Sequence, residues 1–225
     1  MAFTICIPIV ADFDMMDVAN PYEIFSWMKP YWKPADGDLN VLLAGHEAKA
    51  PVTAFNGATL LTHASFQELQ ETPVDVLFVP GGGGTYIRNA CSDQDLLNFV
   101  SAKGATARFV ASVCTGAFVL ATAKLLGTLQ ATTHWMYLAQ FQQQFPDVQV
   151  VNGYPRYVTD GKFTTGGGIS SGIDEALHLV GQIAGDQVAR DIQLSIQYRP
   201  NPPYDDGDPS VADYTTYKQV TAALS

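Results

Sequence analysis

The chain has 225 residues, of which 47% are hydrophobic and 15% charged, and its formal net charge is −10. This length and hydrophobic content fit a globular protein with a buried core, built as one large domain or two small ones. The acidic balance, with no segment rich in Lys and Arg, argues against a nucleic acid or an anionic membrane surface as a partner.

The first third of the chain alternates between dense apolar runs, which predict strands covered on both faces, and segments with helical spacing. In order, these are a strand over residues 3–10, a helix over 14–28, a strand over 39–44, short strands over 51–63 and a strand over 75–80. Within the helix, Pro21 predicts a restart with Asn20 as N-cap, because proline lacks the N–H that a helix interior needs. Asn56 and Gly57 predict a turn between the short strands.

The rest of the chain continues this alternation up to a proline-rich tail. In order, we predict a helix over 93–103, a strand over 108–113, a helix over 117–125, an amphipathic segment over 133–145, a strand over 163–165 and helices over 173–183 and 186–198. Residues 200–209 should be extended, and 210–224 should form a final helix or a peripheral arm. We expect a single α/β domain over 1–225, with a proline-rich extension from about 199 and a mainly parallel sheet between helices on both faces.

The three cysteines, Cys6, Cys91 and Cys114, are odd in number and have unrelated spacings. They indicate free thiols in a reducing cytoplasm rather than a disulfide framework. The apolar N-terminal run is too short for a signal peptide, and no apolar run reaches the ~18 residues of a membrane span. Because no HxxxH, HExxH or CxxC pattern occurs, we expect no bound metal.

Four features of the sequence are expected to meet at one edge of the sheet. In open α/β folds, ligands bind beyond the carboxyl ends of the parallel strands. The features at such ends are Asp17, the glycine run 81–84, Cys114 and the glycine run 166–168.

Cys114 follows a predicted strand and precedes a predicted helix with no loop between them. Such a turn, called a nucleophile elbow, strains the backbone and presents the side chain, and Gly116 would relieve the crowding. The helix N-terminus that follows predicts a thiolate with a lowered pKa. The pattern is equally compatible with an inert core cysteine. Cys6 lies inside a strand and is expected in the core.

The other candidate residues also have two interpretations each. The backbone N–H groups near Gly82 and Gly83 could face a small substrate, or could belong to an ordinary turn. Asp17 and Glu23 are candidate partners of the thiol, although an Asp in this position is more commonly a helix cap. His134 is either a site residue or a hydrogen-bonded core histidine.

The chain resembles the DJ-1/PfpI superfamily over about residues 3–200, in the segments VPGGGGT, ASVCTGAFVLATAKLLGTLQATTHW and TDGKFTTGGGISSGIDEAL. The opening FDMMDVANPYEIF is similar to another superfamily segment, with Asn20 in place of the usual Gly. Within the superfamily, it is most similar to the isocyanide hydratase group, on the Cys114–Thr115 pair, Asp17 and the tail QLSIQYRPNPPY.

This resemblance implies a flavodoxin-like three-layer fold and a cofactor-independent hydration of an isocyanide, R–N≡C, to an N-substituted formamide. Cys114 would add to the terminal carbon and form a thioimidate. Asp17 would be the acid/base group, Thr115 would position it or the water, and amides near Gly82 and Gly83 would face the developing charge. The resemblance and the low charge content both predict a homodimer.

Departures from the superfamily pattern keep other functions open. Many superfamily peptidases and amidotransferases have a His directly after the cysteine or a distal His-Glu pair, and this sequence has neither. A glyoxalase- or deglycase-like hydrolase would use Glu23 instead of Asp17. A non-catalytic ligand or oxidant sensor would use Cys114 as an oxidisable thiol. Regulators of the AraC type share CTGAF and ATTHW but continue into a DNA-binding domain, for which we expect no room here.

Overall fold

A computed structural model describes residues 2–33, 35, 37–204 and 206–211. Its strands are β1 (Phe3–Pro8), β2 (Leu39–Gly45), β3 (Pro51–Thr53), β4 (Thr59–Leu61), β5 (Ala64–Ser65), β6 (Val76–Val79), β7 (Phe109–Ser112), β8 (Gln130–Ala131), β9 (Gln149–Val150), β10 (Tyr157–Asp160) and β11 (Phe163–Gly166). Its helices are α1 (Met15–Ser26), α2 (Gly84–Ala90), α3 (Gln94–Thr106), α4 (Gly116–Thr122), α5 (Leu138–Gln144), α6 (Ser171–Ala184) and α7 (Asp186–Ser195).

Seven strands form the central sheet, in the order β10-β11-β7-β6-β1-β2-β5. Neighbouring strands pair in parallel except for β10 and β11, which pair antiparallel at one edge. Two groups of helices flank the sheet: α6 packs against α1 and α7, whereas α4 packs against α2 and α3. The predicted flavodoxin-like sandwich with a mainly parallel sheet is confirmed.

The central strands are buried on both faces because they are apolar at consecutive positions. Every residue of β1 and of β6 is buried. Cys6 lies in the middle of β1 with no exposed surface, as the sequence predicts. Burial raises the pKa of its thiol to about 12, so Cys6 is a protonated core residue.

The helix α1 continues through Pro21 without the predicted restart. Its N-cap is Asp14, whose carboxylate accepts the N–H of Met16 at 3.1 Å, and not Asn20. Pro21 is buried on the same helix as Val18. Packing of this apolar face therefore maintains a continuous helix in spite of the missing proline N–H.

Other boundaries differ by a few residues from those predicted. The sequence does not predict α2, because its seven residues carry little periodicity. The helix predicted over 117–125 ends at Thr122, and the segment predicted over 133–145 begins as a 3₁₀ turn at Trp135–Tyr137 before α5.

The remaining predictions concern the hairpin and the tail. β3 and β4 pair antiparallel around Gly57, whose φ of +86° suits the predicted turn. Residues 198–204 form neither helix nor strand, as predicted for the proline-rich segment. A 3₁₀ turn covers Pro209–Val211, and the rest of the predicted terminal arm lies outside the described residues. In the part of the chain that is described, no helix has the length and apolar character needed to cross a membrane.

Candidate active site

Cys114 lies in the tight turn between β7 and α4. The strand ends at Ser112 and the helix begins at Gly116, so there is no intervening loop. The φ angle of Cys114 is +57°, a left-handed conformation that costs a non-glycine residue about 1–2 kcal/mol. A strained residue at a strand-to-helix turn is the geometry of a nucleophile elbow, as predicted for this position.

Two glycines let the neighbouring backbone approach this elbow. A Cβ atom on Gly116 would overlap the carbonyl oxygen of Val79, and a Cβ atom on Gly81 would overlap the backbone nitrogen of Thr115. Any larger residue at either position would displace the elbow. Gly116 therefore has the role that the sequence predicts for it.

Hydrogen bonds hold the backbone of Cys114 on both sides. Its N–H donates to the carbonyl of Gly167 at 2.8 Å, and its carbonyl accepts from the Thr133 hydroxyl at 2.7 Å. These contacts bring the second glycine run and the ATTHW segment to the elbow. The predicted meeting of Cys114 with the glycine run 166–168 is confirmed, whereas the approach of the ATTHW segment is an addition that the sequence did not predict.

Thr115 is fully buried and binds the first glycine run. Its hydroxyl donates to the carbonyl of Gly82 at 2.7 Å and accepts the N–H of Gly82 at 2.9 Å. The Gly82 N–H therefore faces Thr115 rather than a substrate, which corrects the prediction of an amide free to bind developing charge. Gly83 is the N-cap of α2, and its carbonyl accepts the N–H of Ile87 at 3.0 Å. Thr115 thus holds the first glycine run beside the elbow.

Asp17 lies in the first turn of α1 and has no exposed surface. Its Oδ2 accepts the N–H of Gly81 at 3.0 Å, which places the carboxyl beside the elbow. Burial raises the pKa of Asp17 well above its usual range, and the charge of Asp14 raises it further. Hydrogen bonds from Gly81 and Cys114 oppose that shift.

The Cys114 thiol is also buried, with 4% of its surface exposed. Burial raises its pKa well above the usual value, and the charge of Asp17 raises it further, whereas the N–H of Thr115 lowers it. The sequence predicts a lowered pKa from the helix N-terminus alone. That prediction is wrong in sign, because burial and the adjacent carboxyl outweigh the one amide. Burial therefore disfavours ionisation of both groups at once, so the pair is expected to share a proton.

Glu23 lies away from this pair. It is exposed, and its Oε1 accepts the indole N–H of Trp27 at 2.8 Å on the same helix. Six residues separate it from Asp17, which places the two side chains on different faces of α1. The structure therefore does not bring Glu23 to the elbow.

A cavity of about 410 Å³ lies next to the elbow and shares Thr133 and Gly167 with it. Its other lining residues are Met16, His134, Trp135, Tyr154, Pro155, Arg156, Gly168, Ile169, Ser170, Ser171, Gly207 and Pro209. Arg156 is the permanently charged residue among these, and its charge is paired with Asp174 at 2.7 Å. A partly aromatic cavity whose one guanidinium is already paired suits a neutral organic group.

His134 forms part of the cavity wall rather than a charged catalytic group. Burial lowers its pKa to about 4, so the imidazole is neutral at physiological pH. Its Nδ1 accepts the N–H of Met136 at 3.3 Å, and its ring packs against Gly168. This placement combines the two sequence interpretations, a site residue and a hydrogen-bonded histidine.

Sequence reasoning missed one acidic residue, Glu175. It has no exposed surface and lies on α6. Its Oε2 lies so close to Gly166 that a Cβ atom on that glycine would overlap it. Burial raises its pKa well above the usual range, the charge of Asp17 raises it further, and the N–H of Ser112 opposes the shift. A single Glu in an amphipathic helix is normally exposed, so the pattern carries no signal of its burial.

Comparison with known proteins places the chain among relatives of the same fold. A family model described as the DJ-1/PfpI family matches residues 3–182. An isonitrile hydratase from Pseudomonas putida is 35% identical over 213 residues, which cover 94% of this chain and 86% of that protein. The HTH-type transcriptional regulator CdhR of Pseudomonas aeruginosa is 30% identical over 148 residues, which cover 66% of this chain and 41% of the regulator.

A solved structure gives the same result. The ThiJ/PfpI family protein from Pseudomonas syringae superposes with a TM-score of 0.85 at 26% identity, covering 100% of this chain and 88% of that one. The fold, the elbow at Cys114 and the family model agree. The chain belongs to the DJ-1/PfpI family.

Proposed function

We propose that the protein is an isocyanide hydratase, a lyase that adds water to an isocyanide and yields an N-substituted formamide. The observation that carries this proposal is the buried pair of Cys114 and Asp17, which lies beside an uncharged cavity. Similarity to an isonitrile hydratase over 94% of the chain supports it, since isonitrile and isocyanide name the same functional group.

The first step forms a covalent intermediate on Cys114. The terminal carbon of R–N≡C is electrophilic, and a bond forms between it and the sulfur. The thiol proton passes to Asp17 and from there to the same carbon, which gives the thioimidate R–N=CH–S. Asp17 is suited to this transfer because its pKa is raised by burial, so it can hold the proton and release it.

The second step consumes water. Water adds to the thioimidate carbon, and one of its protons goes to nitrogen. The remaining hydroxyl proton returns through Asp17 to sulfur as the carbon–sulfur bond breaks. The product is R–NH–CHO, Cys114 is again a thiol, and no redox cofactor takes part in these steps.

The cavity beside the elbow would hold the R group. Met16, Trp135, Tyr154 and Ile169 supply apolar and aromatic surface. The pairing of Arg156 with Asp174 leaves little net charge at the wall. Neutral alkyl and aryl isocyanides therefore fit this site better than charged ones.

The glyoxalase- or deglycase-like alternative has less support. It requires a carboxylate from Glu23 at the thiol, and Glu23 is exposed and bonded to Trp27. The oxidant-sensor alternative requires a thiolate, and burial and Asp17 raise the pKa of Cys114 instead.

An ultraviolet assay for formamide formation from an aryl isocyanide tests the proposal. We expect turnover by the wild-type protein and none with methylglyoxal. Cys114→Ser and Cys114→Ala should lose roughly a thousandfold or more in turnover, because they remove the nucleophile. Cys91→Ala is the matched control, since Cys91 is a half-buried thiol at the end of α2, and it should keep most activity. Turnover by Cys114→Ala at the wild-type rate would refute the proposal.

We also propose a homodimer. Phe55 and Leu61 in the β3–β4 hairpin are 58% and 62% exposed, which together with the low charge content fits a surface covered by a second copy. Light scattering should give about twice the chain mass of 24.3 kDa. Leu61→Glu should shift the protein toward the monomer, whereas a wild-type monomer at micromolar concentration would contradict the proposal.

A further inference from the structure

Glu175 is a buried acid in the interior, approached by the backbone N–H of Ser112. It has no exposed surface, and neither of its carboxyl oxygens has a hydrogen-bond partner of ordinary geometry among the described residues. An ionised carboxylate in such a place would be very costly, so Glu175 carries a proton. Even a neutral carboxylic acid left unpaired is unfavourable compared with an apolar side chain of the same size.

Ser171 lies one turn before Glu175 on the same face of α6. Its hydroxyl is also buried and has no hydrogen-bond partner within the described part of the chain. Both side chains point toward Gly166. A Cβ atom added to Gly166 would overlap the Glu175 carboxyl and would lie 3.3 Å from the Ser171 oxygen. The next residue, Gly167, holds the backbone of Cys114.

Asp17 is a third buried residue with a polar atom that lacks a hydrogen-bond partner in the described chain. Its Oδ2 is bonded to Gly81, but its Oδ1 is buried with no partner of ordinary geometry in the described chain. The helices α1 and α6, which carry Asp17 and Glu175, pack against each other. The charge of Asp17 reaches Glu175 strongly enough to raise its pKa. Buried polar groups in such an arrangement are commonly bridged by ordered water.

We propose that Glu175 is a positioning residue that is linked to Asp17 through buried water and keeps Asp17 ready to exchange a proton with Cys114. This inference rests on the proposed function. When Asp17 is ionised, the neutral Glu175 donates a hydrogen bond toward it. When Asp17 holds the thiol proton, Glu175 accepts one. The proton that Asp17 transfers comes from Cys114 and goes to the substrate carbon, so Glu175 loses no proton over the cycle.

Other ionisable groups on the elements packed against α6 are solvated and do not take this role. Those that are exposed or partly exposed are Asp14, Glu23, Arg156, Asp160, Lys162, Asp174, His178, Asp186, Arg190 and Asp191. Asp17 is the one whose charge raises the pKa of Glu175.

Three variants test the proposal in the full-length protein. Glu175→Gln keeps the shape and removes the acidic proton, and Glu175→Met replaces the acid by an apolar chain. His178→Gln is the matched control. His178 is an ionisable residue one turn after Glu175 on α6, and its ring packs against Tyr157 rather than against the site. For each, kcat and KM with an aryl isocyanide are measured from pH 5 to 10, together with the melting temperature and the rate at which iodoacetamide alkylates Cys114.

We expect Glu175→Gln and Glu175→Met to lose about tenfold in kcat with KM within about twofold. The reason is that Asp17 would lack the partner that stabilises both its ionised and its protonated form. The Met variant should melt at or above the wild-type temperature. Ionisation of Glu175 should produce an alkaline limb in wild-type kcat, and this limb should be absent from the Gln variant, which has no ionisable group at this position. His178→Gln should match the wild type in all of these measurements.

Alkylation of Cys114 separates this inference from the proposed function. Even if no isocyanide is turned over, Glu175→Gln should lower the apparent pKa for alkylation by roughly half a unit or more, because the negative charge that Glu175 acquires near Asp17 when it ionises at alkaline pH is then absent. A Met variant that is stable, has wild-type kcat and has an unchanged pH profile would overturn the proposal. So would identical alkylation profiles for the wild type and Glu175→Gln.

Discussion

Two polar regions meet beneath the Cys114 elbow, and they differ in how their hydrogen bonds are satisfied. In the Thr115 clasp, formed by Thr115 and Gly82, the hydroxyl donates at 2.7 Å and accepts at 2.9 Å. In the carboxyl pair, formed by Asp17 and Glu175, three oxygens have no partner of ordinary geometry within the described structure. Both regions are fully buried.

This difference in hydrogen bonding shows that a buried polar group can have either of two roles, to fix the backbone or to hold a proton. A hydroxyl with both partners satisfied has one low-energy arrangement and therefore holds the glycine run against the elbow. Buried carboxyls with unpaired oxygens lie where desolvation disfavours the ionised form, so small changes in their surroundings decide where a proton resides. We therefore expect the clasp to maintain the geometry of the elbow and the carboxyl pair to govern its protonation.

The largest effect on chemistry is expected at Asp17. Asp17→Asn keeps the bond to Gly81 but removes the exchangeable proton, so kcat should fall about a hundredfold with little change in KM. The Asp17 charge raises the pKa of Cys114, so the same variant should alkylate faster than the wild type at pH 8. Steady-state kinetics and iodoacetamide labelling measure the two effects.

Two further variants check that assignment. Asp17→Glu should also be impaired, because one methylene displaces the carboxyl from a close-packed site. Glu23→Gln should behave as the wild type, since Glu23 is exposed. If Asp17→Asn turned over normally and Glu23→Gln were inactive, the glyoxalase-like assignment would replace ours.

The clasp should respond mainly in stability. Thr115→Val keeps the side-chain shape but leaves the buried N–H and carbonyl of Gly82 unpaired, which should lower the free energy of unfolding by about 2–4 kcal/mol. Thr115→Ser retains both bonds and should lose much less. Urea denaturation followed by circular dichroism measures the difference. Equal stability of the Val and Ser variants would show that the clasp does not hold the loop.

The last effect is the pH dependence that the carboxyl pair adds to stability. The folded-state pKa of Glu175 is raised, so its stabilising contribution is complete below its unfolded pKa and is lost as pH rises toward the folded value. The wild type should therefore lose stability relative to Glu175→Met by at most about 1.4 kcal/mol per pH unit over this range. Urea denaturation at pH 5, 6, 7 and 8 tests this. Parallel stability curves for the two proteins would mean that Glu175 does not titrate abnormally.

Prediction from sequence works here where the signal is local. The dense apolar runs identify the central strands, and the strand–Cys–Thr–Gly–helix order identifies the elbow at Cys114. It fails where packing overrides local rules, as at Pro21, where a buried face maintains a continuous helix. It also fails for the pKa of Cys114, because helix position is visible in sequence whereas burial beside Asp17 is not.

The sequence alone therefore determined the α/β class, the order of the central strands along the chain and the position of the elbow, since these depend on residues that are neighbours along the chain. The tertiary structure decided which groups surround the thiol. Asp17 meets Gly81 across 64 residues, and Thr115 meets Gly82 across 33. Glu23 points to solvent, and Glu175 points into the interior, although a helical pattern alone would place both on a polar face. Contacts between distant segments, and the desolvation that accompanies them, set the protonation of this site, and no local pattern encodes either one.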